Sequence, residues 1–186
     1  MEIQLLKIES LCQETGELER DQFVERYPGA FLLAMGFLAV QEIRAVRQGS
    51  AAGGAPATAA YFFGPSPRHD SEQRHPLSGL AFFLRPTGDR PAVTIGRSQQ
   101  CDVTVPDNSV SDLHCHIEVD EDGVYVTDLN STNGTSVNLD RLGSGERRVL
   151  ADEDILTVGR YSFQLLGAAS CHVELALLKA LSDRKQ

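Results

Sequence analysis

The sequence predicts a mainly β protein, a sandwich of two antiparallel sheets with a helical segment before it and a short helix after it. Two observations lead to this. Nine short apolar segments succeed one another between Leu80 and Leu166, at a spacing of about ten residues, with no room between them for crossover helices. Turn formers such as Pro86, Gly88-Asp89 and Asp122-Gly123 stand between the segments.

In order, the expected strands are Leu80–Arg85, Ala92–Arg97, Val103–Val105, His114–Val119, Val124–Leu129, Val137–Leu139, Arg148–Leu150, Ile155–Val158 and Phe163–Leu166. The fourth and fifth form a hairpin across the acidic turn Asp120 to Gly123, which carries the Asp-Gly signature. Val173, Leu177, Leu178 and Leu181 share one face of a helix over residues 170–183. The sandwich is thereby assigned to residues 80–167.

Residues 1–48 carry helical patterning. Ile8, Leu11, Cys12 and Thr15 recur at i, i+3, i+4 and i+7, and Gly16 interrupts. A second helix is expected from Glu17 to Tyr27, stopped by Pro28, and a third from Ala30 to about Gln48. The first half of that third segment is apolar on every side. It must be buried, either in a common core with the sandwich or as a docking or self-association surface. Residues 49–79 read as a linker and a partly ordered lead-in, beginning with the small-residue run Ser50–Ala60.

Composition bounds the function. The 186 residues include 17 basic and 26 acidic side chains, a net charge of −9, which argues against nucleic acid as the main partner. The longest apolar run, Ala30 to Val40, is interrupted by Gly36 and is about half the length a membrane span requires. Four cysteines without a CxxC pair, and an N-terminus without a basic signal region, lead to the expectation of a reduced, cytoplasmic protein. Arginine outnumbers lysine fourteen to three, a bias that hints at a bacterial source.

Four motifs stand in order: Gly96-Arg97-Ser98; Ser109-Val110-Ser111-Asp112-Leu113-His114; Asp128-Leu129-Asn130-Ser131-Thr132-Asn133-Gly134-Thr135; and Asp154-Ile155-Leu156-Thr157-Val158-Gly159. Arg97, Ser111, Thr132 and Asn133 all fall where strands give way to loops, and in a sandwich such loops gather at one end. An arginine fork with hydroxyl and amide donors beside it suits a phosphorylated side chain, which carries about −1.5 to −2 charges and three strong acceptors.

This succession resembles the forkhead-associated (FHA) domain family, whose order is a GR pair, an SxxH segment, an STNGT-type loop and a closing D-x-[IL]-x-[IVL]-G strand. The resemblance implies a phosphothreonine-peptide-binding adaptor with no cofactor and no catalytic residue. Its partner would be a phosphothreonine-containing protein, either a Ser/Thr kinase or a kinase substrate. By the same resemblance, Arg97 and Ser111 contact the phosphate, Thr132 lines the pocket and Asn133 holds the peptide main chain. Gly96, His114 and Gly134 support the site from behind. The pattern departs at Asp112, where the family usually has a basic or amide residue. A carboxylate there opposes a phosphate, and it also has the alternatives of pointing at Arg97 and holding it or of facing water.

Blander roles compete for each residue. Arg97 is able to pair with a nearby carboxylate such as Asp102, Ser111 to cap a turn, and Thr132 to be simple loop packing. His114-Cys115-His116 lacks further metal ligands at a suggestive spacing. A Ser111/His114/Asp128 triad lacks a nucleophile elbow. The alternative function is a phosphate-independent scaffold that uses the same fold together with the N-terminal helices.

Overall fold

The computed structural model describes residues 1–37, 77, 79–86, 92–120 and 122–183. They form β1 (Glu2–Lys7), α1 (Ile8–Thr15), α2 (Arg20–Arg26), β2 (Ala30–Phe37), β3 (Leu80–Arg85), β4 (Ala92–Gly96), β5 (Val103–Thr104) and β6 (Cys115–Asp120). There follow β7 (Gly123–Asp128), β8 (Thr135–Val137), β9 (Asp140–Arg141), β10 (Arg147–Leu150), β11 (Ile155–Val158), β12 (Tyr161–Gly167) and α3 (Ala168–Asp183).

The strands make a seven-stranded sheet, β1-β3-β2-β12-β11-β8-β9, and a five-stranded sheet, β10-β7-β6-β4-β5. All pairings are antiparallel except that of β4 with β5, which is parallel over Ile95–Val103 and Gly96–Thr104. The expected sandwich of two antiparallel sheets is thus present, with one short parallel pairing at the edge of the smaller sheet.

Two apolar layers hold the fold. Between the sheets, Leu32, Phe82, Leu84, Ile95, Ile117, Val126, Leu156, Tyr161 and Phe163 form one core. On the outer face of the larger sheet, Phe31, Leu33, Ala81, Phe83 and Leu166 meet Ile8, Leu11 and Cys12 of α1, Phe23 of α2, and Cys171, Leu175 and Leu178 of α3. The molecule is thus helices on sheet on sheet. The residues expected to face inward on α1 and α3 do so in part: Ile8, Leu11, Cys12 and Thr15 are buried, as is Leu178, whereas Val173 and Leu177 are exposed.

The third expected helix is corrected over its described part. Ala30–Phe37 is strand β2, paired with β3 on one side and β12 on the other. Alternate side chains enter the two layers: Ala30, Leu32 and Ala34 go to the inter-sheet core, Phe31 and Leu33 to the helical side. A strand covered on both faces has no polar alternation, so its sequence reads as continuously apolar, as does a fully buried helix. Residues 38–48 and the expected linker up to residue 76 lie outside the described residues. Over its described part, Ala30–Phe37, the apolar segment is therefore an internal strand of the larger sheet and not a helical docking surface. Strand β1 pairs with β3 from Glu2–Arg85 to Lys7–Leu80, so the larger sheet draws on the first 37 residues as well as on the segment from Leu80. Among the described residues no helix is long and apolar enough to cross a membrane.

Candidate functional site

The loops after β4, before β6 and between β7 and β8 meet at one end of the sandwich. The backbone joins the first two: Arg97 N–H donates to the Ser111 carbonyl at 2.9 Å, and Ser98 N–H to the Asp112 carbonyl at 3.1 Å. This close approach explains Gly96, because a Cβ there would lie 2.2 Å from the Asp112 carbonyl oxygen.

The third loop joins through Ser111. Thr132 N–H donates to Ser111 Oγ at 3.0 Å, and Ser111 Oγ lies 3.4 Å from Thr132 Oγ1. Asn133 Nδ2 donates to the Ser109 carbonyl at 2.8 Å. Arg97, Thr132 and Asn133 are exposed and Ser111 is half-buried, so an arginine and two hydroxyls line one surface. The Asn133 amide nitrogen is engaged in bracing the loop, and Oδ1 is the acceptor atom of that amide.

His114 is fully buried and locks two of the loops. Its Nδ1 accepts from Ser111 N–H at 3.0 Å, and its Nε2 lies 3.1 Å from the Gly134 carbonyl. Since Nδ1 accepts, the proton sits on Nε2 and donates to Gly134, which fixes the neutral tautomer. Burial drives its pKa below the ordinary 6.5, although the Gly134 contact and the nearby Asp128 charge oppose that shift. Both ring nitrogens are therefore engaged with backbone, and neither is placed to act as a base on Ser111 Oγ. Asp128 does not complete a triad either. Its carboxylate accepts from Ser131 N–H and Oγ and from Thr135 Oγ1, at 3.0, 2.6 and 2.6 Å. Burial alone would raise the Asp128 pKa, but these hydrogen bonds outweigh it and lower the value.

Asp112 takes the second of the courses open to it. Its Oδ1 accepts from Arg97 Nε at 3.1 Å and from Arg97 Nη2 at 2.9 Å. Both partners are in solvent, with side chains 44% and 74% exposed, so the pair is an opposing surface contact and not a buried lock. Asp102, the other carboxylate considered for Arg97, instead accepts from the Thr94 backbone and hydroxyl at 2.9 and 2.7 Å.

Several contributors escaped sequence reasoning. Buried Asp107 accepts from Ser109 N–H and Oγ and from the Arg160 guanidinium. Burial would raise its pKa, but Arg160 and Ser109 bring it down to about 2. This pair fixes the loop that presents Ser109 to Asn133. The Asp-x-Ser spacing of Asp107 and Ser109 was the available signal. Asn138 joins the β8–β9 turn to Asp154 and to Ile155 N–H. These contacts link residues 16 or more positions apart, and no local pattern announces them.

Residues 93–159 match the FHA domain family model. This chain carries an FHA domain. The described strands β1, β2 and β3 lie outside that match, so the larger sheet is extended beyond the family's segment. Relatives include an oxoglutarate dehydrogenase inhibitor of Corynebacterium efficiens, 32% identical over 94 residues. That match covers 50% of this chain and 61% of the relative. The glycogen accumulation regulator GarA of Mycolicibacterium smegmatis is 31% identical over 94 residues, covering 50% of this chain and 55% of that protein. The chain therefore spans somewhat over half the length of these curated relatives. Among solved structures, an FHA domain from a study of phosphothreonine-dependent interactions is 34% identical, covering 48% of this chain and 85% of its own, with a TM-score of 0.42.

Proposed function

We propose that this FHA domain binds phosphothreonine peptides and that the chain acts as a cytoplasmic, non-enzymatic signalling adaptor. The supporting observation is the junction of the three loops: Arg97, Ser111 and Thr132 are joined through backbone and hydroxyl hydrogen bonds that His114 braces from beneath. Arg97 gives the phosphate a guanidinium fork, Ser111 and Thr132 give it hydroxyl donors, and Asn133 Oδ1 accepts a peptide N–H. Gly96 allows the close backbone approach of Asp112, and Gly134 takes a φ of +86° with the Arg141 guanidinium over it. The partner is a phosphothreonine-containing protein, either a Ser/Thr kinase or a substrate of one. The names of the relatives, an inhibitor and a regulator, fit a module that acts by binding.

Asp112 favours a second reading. Its ion pair with Arg97 satisfies the fork without any ligand, as a scaffold that binds proteins independently of phosphate requires. An array carrying matched phosphorylated and unphosphorylated threonine peptides separates the two. Capture confined to phosphorylated spots supports the adaptor, whereas equal capture of both forms supports the scaffold.

A further inference from the structure

We infer that the open edge of β1 pairs with the β1 edge of a second copy of this chain, joining two larger sheets into one about a two-fold axis at Gln4.

Among the described residues β1 ends the larger sheet, with β3 on one side only. Its register with β3 runs from Glu2–Arg85 to Lys7–Leu80 and continues into Ile8, whose N–H donates to the Gly79 carbonyl at 2.9 Å. Leu80 N–H is spent on the Leu77 carbonyl and not on Lys7. Hydrogen-bonded and non-hydrogen-bonded pairs alternate along an antiparallel ladder, so Glu2, Gln4 and Leu6 make the bonds to β3. The N–H and C=O groups of Ile3, Leu5 and Lys7 point the other way, to the open edge.

The side chains alternate as well. Ile3 and Leu5 stand opposite Leu84 and Phe82 of the inter-sheet core, whereas Leu6 packs on the helical side. The smaller sheet ends there in β5, a strand of two residues. Ile3, Leu5, Leu77, Phe82, Asp102 and Thr104 line a groove of about 350 Å³, and Leu5 is 57% exposed. The other described sheet ends are blunted: β5 and β9 have two residues each, and β10 carries Arg147 and Arg148. β1 has six residues, no proline and no charge between Glu2 and Lys7, the kind of edge that accepts another strand.

The order of its residues commits this edge to a second copy. A two-fold axis perpendicular to the sheet sets two β1 strands antiparallel and keeps each face on its own side. Odd residues then oppose odd residues, and even oppose even. With the axis at Gln4, Ile3 of each copy faces Leu5 of the other. The backbone groups that β3 leaves open meet one another, and each Ile3–Leu5 pair exchanges both of its hydrogen bonds. On the groove side these apolar side chains make one cluster, and on the other side Gln4 meets Gln4, amide to amide. An axis at Leu5 would instead set the Lys7 charge against Ile3. An edge this short makes a small interface, so the pair is weak, with Kd on the order of 100 µM.

The test is sedimentation of the full chain from about 10 µM to about 1 mM. The average mass should rise from 20.3 kDa toward twice that value. Leu5→Pro removes an N–H that β3 does not use and should hold the chain at the monomer mass throughout. Leu5→Lys, which blunts the edge with a charge, should do the same, and it decides the matter if proline disturbs β1. Under oxidation Gln4→Cys should cross-link two copies, since Cα atoms of a non-hydrogen-bonded pair lie about 4.5 Å apart, and Leu5→Cys should not. A wild type that stays at 20.3 kDa at the highest concentration overturns the pairing. A dimer that survives Leu5→Lys overturns it too, because the contact then lies on another surface. Cross-linking by Leu5→Cys and not by Gln4→Cys refutes the axis.

Discussion

Replacing Asp112 with alanine should tighten phosphopeptide binding. In the free protein its carboxylate holds the Arg97 guanidinium through contacts of 3.1 and 2.9 Å, so a phosphate must displace it. For an exposed pair the release costs about 0.2–1 kcal/mol. The displaced carboxylate also repels the ligand. Two negative charges at about 6 Å from a third, in water, give about 1.4 kcal/mol, and physiological salt roughly halves this. The sum, about 1–1.7 kcal/mol, corresponds to a five- to fifteenfold gain in affinity. Isothermal titration of one phosphothreonine peptide with neutral flanks into wild type and Asp112→Ala measures it directly. At 1 M salt the screening length is about 3 Å, and the gain should shrink to about two- to threefold. Asp112→Arg should exceed Asp112→Ala at low salt by adding an attractive charge. Unchanged or weaker binding by Asp112→Ala would refute the assignment of Asp112 as a competitor for Arg97.

Further outcomes follow from groups away from the peptide. The buried His114 has a pKa below 6.5, so as pH falls through 6.5 the unfolded chain takes up a proton before the folded one. Its contribution to stability is present above about pH 6.5 and lost below it, which chemical denaturation between pH 5 and 8 should show and His114→Gln should abolish. Glu174 on α3 is buried, its Oε1 has no hydrogen-bond partner among the described residues, and burial, with Glu153 nearby, raises its pKa to about 7. That shift has the opposite sign: the contribution is present below about 4.5 and lost as pH rises through about 7. Glu174→Gln should therefore stabilise the protein by about 2–3 kcal/mol above pH 7.5 and change little at pH 5, measured as the pH dependence of unfolding free energy. Phe31, fully buried in β2 among Phe23, Tyr27 and Phe83, should cost about 3–5 kcal/mol when changed to alanine, read from urea unfolding midpoints.

The sandwich strands were legible because their apolar segments are short and their turns carry distinctive residues. The expected Leu80–Arg85 and Ile155–Val158 coincide with β3 and β11. Helix α1 was legible from Ile8, Leu11, Cys12 and Thr15, all on its buried face. Strand β2 was not, because the helices on one side and the smaller sheet on the other bury both of its faces and erase the period-two signal. Strand β1 escaped for a different reason. It is an edge strand with Leu5 and Glu2 exposed, and β3, its pairing partner, lies more than seventy residues away. Of the candidate site, the motifs carried Arg97, Ser111, Thr132 and His114, because short-range patterns announce strand ends and turns. The partner of Arg97 was open between Asp102 and Asp112, since only the fold decides which carboxylate shares its end of the sheet. The placement of Arg141 over Gly134 depends on the β8–β9 pairing, which the sequence does not advertise.

The most direct test of phosphate recognition at this loop junction is a titration of isotope-labelled protein followed by NMR. A phosphothreonine peptide should shift the Arg97 Nε–H signal and the Ser111 and Thr132 amides, saturably and together, and its unphosphorylated form should leave them in place. Equal shifts from both peptides, or shifts confined to β1 or α3, would contradict the account.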